Sequence, residues 1–177
     1  YKAHREEMPK DLQPQIPLVK QVVKTLNIPQ FELEGYEADD LIGTISHQAA
    51  KLDQAEDQDL KTVIVTGDKD LFQLINDSVH VWLPGRGRRT DQEYDRQAVE
   101  ADLGVYPEQV VDLKALMGDS SDNIPGIYGI GPKTAGKLLT EFGSLEAVYQ
   151  GVNEAEKYPD LNFIINNISR GDYRDIF

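Results

Sequence analysis

Apolar residues recur at intervals of three and four along most of the chain, the pattern typical of amphipathic helices. The predicted helices cover residues 11–27, about 37–52, 68–74, about 95–103, 107–117, 133–142 and 144–149, with a weaker signal over 163–168. A polar, acidic loop is predicted over residues 53–60, and a short extended connector over 31–34. Helical elements therefore dominate the predicted structure.

Two short apolar runs break this helical pattern. Residues 62–66 form a continuous run rich in β-branched side chains, which predicts a strand buried on both faces. Residues 79–83 are the second predicted strand. Because helices and strands alternate, we predict an α/β core with a mostly parallel sheet over residues 1–117. The glycine- and proline-rich start of the next part predicts an all-helical region over 118–150, and residues 151–177 stay unassigned.

Composition narrows the class of protein only slightly. The 177 residues include 40% hydrophobic and 28% charged side chains, as in ordinary globular domains, and no apolar run approaches the roughly 20 residues that span a bilayer. The absence of cysteine excludes disulfides and thiolate metal sites, and it suits a cytoplasmic protein. The net charge of −13 argues against a nucleic-acid partner, unless bound cations neutralise some of the acids.

Seven carboxylates occur in three short clusters, each at the boundary of a predicted element. The clusters are Glu37, Asp39 and Asp40; Asp68 and Asp70; and Asp119 and Asp122. Residues 37 and 40 share a helix face, and residues 68 and 70 follow the predicted buried strand, at the edge where parallel sheets place their sites. Taken singly, each cluster also suits ordinary helix-capping or loop acids.

Taken together, the clusters favour a divalent metal site. Hard cations such as Mg²⁺ take oxygen ligands, and clustered carboxylates repel one another unless a cation neutralises them. Two such ions, about 3.5–4 Å apart, activate water and stabilise the leaving oxygen of a phosphodiester. This chemistry needs several carboxylates from separate segments and no cysteine, as found here.

A glycine-rich segment before the helix at 133–142 resembles a helix-hairpin-helix, which binds the DNA backbone without reading its sequence. Glycines permit close approach of a ligand, and the free amides at a helix start favour a phosphate. The candidate DNA-binding residues are Gly126, Gly129, Gly131, Lys133, Thr134 and Lys137. A structural turn between packed helices is the alternative. The basic loop at 86–89 is either a further DNA contact or a surface loop that balances nearby acids.

Three motifs together resemble the bacterial 5′ nuclease (flap endonuclease-like) family. They are GYEADD at 35–40, TGDKD at 66–70 and GDSSDNIPG at 118–126, and their order and approximate spacing agree with that family. The nearest resemblance is to the 5′–3′ exonuclease domain of DNA polymerase I, over residues 1 to about 150. It implies a PIN-like (Rossmann-like) core followed by a helix-hairpin-helix region.

The resemblance also implies an activity and its residues. The expected reaction is hydrolysis of double-stranded or branched DNA at a 5′ flap or 5′ end, with two divalent ions, Mg²⁺ or Mn²⁺. The seven clustered carboxylates would form the metal site. The residues expected to lie at the base of a helical arch, near the scissile phosphate, are Tyr1, Lys2 and Arg5. The family's first strand, two further aspartates and most of the arch are expected to precede Tyr1. The resemblance also implies a polymerase domain in the same parent chain.

Two other classes of protein remain open at this point. A phosphatase of the haloacid dehalogenase type would use Asp68 and Asp70 as its reactive pair, although Leu71 and the glycine-rich segment do not suit that chemistry. A non-catalytic module that binds branched DNA is the second alternative. Such a module has no need of all seven carboxylates.

Overall fold

The computed structural model describes residues 8–56, 60–87 and 90–152. Two helices precede the sheet, α1 (Gln15–Thr25) and α2 (Ala38–Glu56). Both predicted helices are confirmed, but α2 continues four residues into the predicted loop at 53–60. The prediction of a loop from residue 53 was wrong because that stretch, although polar, contains no glycine or proline to end the helix.

The two predicted strands pair in parallel. In β1 (Thr62–Val65) and β2 (Val79–Leu83), Ile64 lies opposite Val81 in the hydrogen-bonded register. The prediction that β1 is buried on both faces was wrong for the described residues. Ile64 is buried, whereas Val63 and Val65 are exposed, because successive side chains of a strand point to opposite faces and the described residues cover only the face of Ile64.

A third strand, β3 (Gln92–Tyr94), pairs antiparallel with β2. The order is β1-β2-β3, so the described sheet is mixed, with one parallel and one antiparallel pairing. The α/β class is confirmed. The third strand was not predicted, because three residues with two polar side chains carry no usable alternation of apolar and polar positions.

The remaining helices agree with the sequence pattern within a few residues. A 3-10 helix covers Lys69–Leu74, and α3 (Arg96–Leu103) follows β3. A 3-10 turn at Pro107–Gln109 leads into α4 (Val110–Met117). The last two helices of the described chain are α5 (Pro132–Phe142) and α6 (Leu145–Val152). The weak helical signal at 163–168 lies outside the described residues.

One hydrophobic core joins the sheet to the later helices. It contains Ile64 and Val81 from the sheet together with Leu116 of α4 and Leu138 of α5. Gln109 Nε2 donates hydrogen bonds to the carbonyl oxygens of Leu139 and Gly143, at 3.2 and 2.8 Å, and so satisfies the end of α5. The helical region is therefore held firmly against α4. No helix among the described residues has the length and apolar character to cross a membrane.

Candidate metal centre and nucleic-acid interface

The second acidic cluster lies just beyond the carboxyl end of β1. Asp68 has extended backbone geometry, and its side chain accepts a hydrogen bond from the Asp70 amide at 2.9 Å, which caps the 3-10 helix. The next two residues, Leu71 and Phe72, are buried in the core. Asp70 is thus fixed by a cap on one side and by core packing on the other, with its side chain 31% exposed.

The third cluster lies on a tight loop between α4 and the glycine-rich segment. Asp119 and Ile124 form two backbone hydrogen bonds with each other, at 2.9 and 2.8 Å. The Ser121 amide donates to Asp119 Oδ1 at 2.8 Å and closes the turn inside this pair. The loop holds the side chain of Asp119 in a largely buried position, with 10% exposed.

Two glycines allow this loop to lie directly against the end of α4. A Cβ atom added to Gly126 would lie 2.1 Å from the carbonyl carbon of Met117, and one added to Gly118 would lie 2.4 Å from the Gly126 amide nitrogen. Gly118 also has φ +79° and ψ 171°, a conformation that is essentially restricted to glycine. No other residue type fits either position without moving the backbone.

The fold brings three of the seven predicted carboxylates together. Asp70, Asp119 and Asp122 each offer an oxygen, and these oxygens lie within 4.8 Å of one another. We call these three residues the acidic triad. Hard divalent cations prefer oxygen ligands, and the acidic triad offers three carboxylate oxygens from two separate segments. The acidic triad therefore fits such an ion.

The other four predicted ligands lie outside the acidic triad. Glu37, Asp39 and Asp40 are exposed at the start of α2, where Asp40 Oδ2 accepts a hydrogen bond from the Glu37 amide at 2.9 Å. Asp68 caps the 3-10 helix beside Asp70. Their part in metal binding therefore stays a prediction. Tyr1, Lys2 and Arg5, predicted to lie near the scissile phosphate, are outside the described residues.

A lysine that the motifs did not single out joins two members of the triad. Lys114 Nζ donates hydrogen bonds to Asp70 Oδ1 and to Asp119 Oδ2, the second at 2.5 Å. The Lys114 side chain is 27% exposed. Its only sequence signal is a charged residue, the second after Asp112, in a helix (α4) that is otherwise apolar and ends just before the third motif.

The surroundings shift the pKa values of these groups in different directions. Burial raises the pKa of Asp70, against the opposing effect of Lys114. Hydrogen bonds from Lys114 and then from Ser121 hold the pKa of Asp119 well below its ordinary value. Burial alone would lower the pKa of Lys114, but its hydrogen bonds to Asp119 and Asp70 outweigh burial and raise it. At neutral pH, Asp119 is therefore ionised and Lys114 is charged.

Four of the six predicted DNA-binding residues lie at or near the start of α5, whereas Gly126 packs against the end of α4 and Gly129 lies in the turn between them. Gly131 is the N-cap residue of this helix, Pro132 is its first residue, and the Thr134 amide donates to the Gly131 carbonyl oxygen at 3.0 Å. Lys133 and Lys137 are exposed, while the opposite side of α5 is buried in the core. This arrangement presents two lysines and a helix N-terminus on one surface, as phosphate binding requires.

The basic loop at 86–89 is described only as far as Gly87. A Cβ atom added to Gly67 would lie 3.0 Å from the guanidinium of Arg86, so the second motif and this loop are in contact. Arg86 also lines a cleft of about 650 Å³ with Lys69, which forms an ion pair with Asp102 at 2.6 Å. This cleft and its charged lining residues were not predicted from the sequence.

Comparison with known families agrees with this arrangement. The chain matches the 5′–3′ exonuclease N-terminal resolvase-like domain over residues 1–104 and the 5′–3′ exonuclease C-terminal SAM fold over residues 105–169. The chain belongs to the 5′–3′ exonuclease family, as the motifs predicted. The two family domains meet between residues 104 and 105, and our division after residue 117 stays a proposal.

Its relatives include DNA polymerase I and phage nucleases. The chain is 44% identical to DNA polymerase I of Bacillus caldotenax over 154 residues, which cover 87% of this chain and 17% of that polymerase. It therefore spans about a sixth of the length of that relative.

A structure of the T5 5′-exonuclease with bound divalent ions (zinc) has a TM-score of 0.65 and 28% identity, covering 89% of this chain and 54% of that one. A bacteriophage T5 flap endonuclease in a pseudo-enzyme–product complex with DNA and metal ions has a TM-score of 0.64 and 29% identity, covering 82% and 52%.

Proposed function

We propose that this chain is the metal-binding and DNA-binding part of a 5′ nuclease that hydrolyses phosphodiester bonds in DNA, at a 5′ flap or at a 5′ end. The observation that carries the proposal is the acidic triad, which Asp70, Asp119 and Asp122 build beside β1 and next to the glycine-rich loop. The membership of the 5′–3′ exonuclease family supports it. The T5 relatives, solved with metal ions and with DNA, support it further.

In this proposal the triad holds one divalent ion, and the remaining predicted acids complete a site for a second. These acids are Glu37, Asp39, Asp40 and Asp68. We propose Mg²⁺ or Mn²⁺, because carboxylate oxygens are the ligands that these hard cations prefer. Bound ions of this kind supply an activated water and stabilise charge on the leaving oxygen of the phosphodiester.

The protein's own residues prepare this chemistry. Lys114 and Ser121 keep the carboxylate of Asp119 ionised and fix its position, so that it is available as a ligand. We further propose that Lys2 and Arg5 contact the scissile phosphate and that Tyr1 lies beside them, as the family resemblance implies. Lys133 and Lys137, with the positive end of the α5 helix dipole, hold the duplex on one side of the cut.

We propose double-stranded or branched DNA as the substrate and a polymerase domain in the same parent chain. The similarity to DNA polymerase I, of which this chain covers only 17%, supports the second point. Such an enzyme would act on DNA in the bacterial cytoplasm, at the nucleoid. Divalent ions bound by the acidic triad would offset part of the net charge of −13 at the place where the DNA binds.

The test measures cleavage of a labelled 5′-flap duplex by the full-length gene product that contains this chain. We expect cleavage with Mg²⁺ and none with a chelator. Asp119→Asn should slow cleavage at least about a hundredfold, since electrostatic stabilisation by a bound ion contributes several kcal/mol. Binding of the same duplex should stay within a few-fold. Asp11→Asn, a matched change at an exposed position far along the chain from the triad, should cleave normally.

Two results would contradict the proposal. Near-normal cleavage by Asp119→Asn would show that the triad does not carry the reaction. If the unmodified protein binds the flapped duplex but does not cut it with Mg²⁺ or Mn²⁺, a non-catalytic module for branched DNA is the better reading.

A further inference from the structure

The loop before α5 has a rigid apex that exposes an aromatic ring. The Ile130 amide donates to the Ile127 carbonyl oxygen at 3.0 Å, so Tyr128 and Gly129 are the two central residues of a β-turn. Gly129 has φ +81°, the value that a type II turn requires at its third position. Ile127 and Ile130 are both buried in the core. The turn is therefore anchored on each side of its apex.

Tyr128 is the most exposed large apolar residue in the part of the chain that the structure describes, at 84%. Tyrosine combines a flat apolar ring with a hydroxyl group, and such side chains favour surfaces that are covered when a partner binds. A turn needs no aromatic residue at this position, because most residue types fit the second position of a type II turn. The backbone therefore gives no reason for a tyrosine here.

The surroundings of the turn indicate the chemistry of the partner. Pro132 begins α5 four residues after Tyr128, and the extended reach of four residues is at most about 14 Å. Lys133 and Lys137 are exposed on that helix. A single DNA strand advances about 3.4 Å per nucleotide. A strand that runs from a phosphate at the start of α5 towards the turn would therefore reach the ring within about four nucleotides.

We propose that Tyr128 packs its ring against a deoxyribose of the DNA strand whose phosphate binds at the start of α5. This inference rests on the proposed function and adds a non-ionic contact to it. The ring contributes to affinity by covering apolar surface of the sugar, whereas Lys133 and Lys137 contribute by neutralising phosphates. Because every nucleotide offers the same sugar, the contact does not depend on base sequence.

These two kinds of contact differ in their response to salt. Affinity for DNA falls as salt rises, because neutralising a phosphate releases counterions. Each lysine contact therefore makes the fall of log affinity with log salt steeper by about 0.9. Packing on a sugar releases no counterion and leaves that slope unchanged. Salt titration therefore separates a ring that packs on DNA from a lysine that pairs with it.

The experiment measures binding of a fluorescent duplex with a 5′ flap by anisotropy, over a range of salt concentrations, with Ca²⁺ in place of Mg²⁺. We expect Tyr128→Ala to weaken binding about fivefold, the equivalent of about 1 kcal/mol, with the salt slope unchanged. Tyr128→Phe should bind within twofold of the unmodified protein, because it keeps the ring. Phe31→Ala, which removes another exposed aromatic ring, is the matched control and should not weaken binding.

Each of the other outcomes contradicts either the inference about Tyr128 or the proposed DNA-binding surface. If Tyr128→Ala binds normally while Lys133→Ala weakens binding and lowers the slope, the inference about the ring is wrong and the proposed function stands. If neither change affects binding, the DNA-binding surface itself is wrong. A lower salt slope in Tyr128→Ala, or an equal loss in Phe31→Ala, would also overturn the packing of the ring on the sugar.

Discussion

Lys114 is the residue on which the electrostatics of the acidic triad depend. Its ammonium lies between Asp70 and Asp119 and donates a hydrogen bond to each of them. All three side chains are at least two-thirds buried, so water screens their charges less than it screens those of a surface pair. Lys114 therefore stabilises the fold locally while it keeps the Asp119 carboxylate ionised.

We predict that Lys114→Met lowers the free energy of unfolding at pH 7 by about 2 kcal/mol when a chelator is present. The reason is that the change leaves partly buried carboxylates without their cation. Urea unfolding followed by circular dichroism measures the change. Lys10→Met, at an exposed position outside the triad, is the matched control and should unfold like the unmodified protein.

The same variant should respond differently to acid. The depressed pKa of Asp119 means that the folded chain takes up a proton less readily than the unfolded chain. The resulting stabilisation is complete above the ordinary carboxyl pKa of about 4 and is lost as the pH falls towards the lower pKa of the folded state. Lys114→Met removes the largest cause of the depression, so we predict a shallower loss of stability below about pH 4. An equally steep loss would show that Lys114 does not set this pKa.

The loop from Gly118 to Gly126 is the element that places two members of the triad. Asp119 begins a pair of backbone hydrogen bonds that Ile124 completes, and the two glycines at its ends lie against each other and against the end of α4. The position of the carboxylates therefore depends on backbone packing as much as on the acids themselves. Gly131, by contrast, has no atom within 4 Å of an added Cβ and no positive φ.

We predict opposite behaviour for these two kinds of glycine. Gly126→Ala should lower the free energy of unfolding by about 3 kcal/mol or more, because its Cβ atom would overlap the backbone of Met117. Gly131→Ala should keep nearly normal stability but weaken duplex binding, because its methyl group would stand where a phosphate approaches α5. Thermal unfolding and DNA-binding anisotropy measure the two effects. Normal stability in Gly126→Ala would show that the loop does not need this close contact.

For the whole molecule, the excess of negative charge is the main obstacle to DNA binding. A net charge of −13 repels a polyanion, although Lys133 and Lys137 are exposed at the proposed contact surface. Divalent ions bound by the triad would reduce this repulsion close to the DNA. Affinity for DNA should therefore depend on divalent cations more strongly than ionic strength alone explains.

We predict that Ca²⁺ strengthens duplex binding several-fold relative to a chelator, at equal ionic strength, because it neutralises carboxylates near the phosphates. Asp70→Asn removes one of these negative charges. Its affinity for the duplex in the chelator should therefore be higher than that of the unmodified protein, and Ca²⁺ should increase it less. Anisotropy titrations in matched buffers measure both affinities. Identical affinity with and without Ca²⁺ would contradict the proposed role of bound cations.

The sequence by itself determined the positions of the helices and of the two longer strands. Hydrophobic periodicity is a local property, and each element from α1 to α6 carries it within its own residues. The three motifs likewise identified the family, because their residues are contiguous and stand in a fixed order. Gly118 and Gly126 were recognisable from the sequence as parts of a motif. The sequence did not show that both positions require glycine because the backbone of the loop contacts the end of α4.

Only the tertiary structure decided which charged groups meet. Lys114 and Asp70 lie 44 positions apart, and no local pattern reports that their side chains form a hydrogen bond. The same holds for β3, which forms by pairing with β2. It holds also for the acidic triad, because the packing of the fold brings together only three of the seven candidate carboxylates. Periodicity records which face of an element is buried, but the partner across that face depends on how the elements pack.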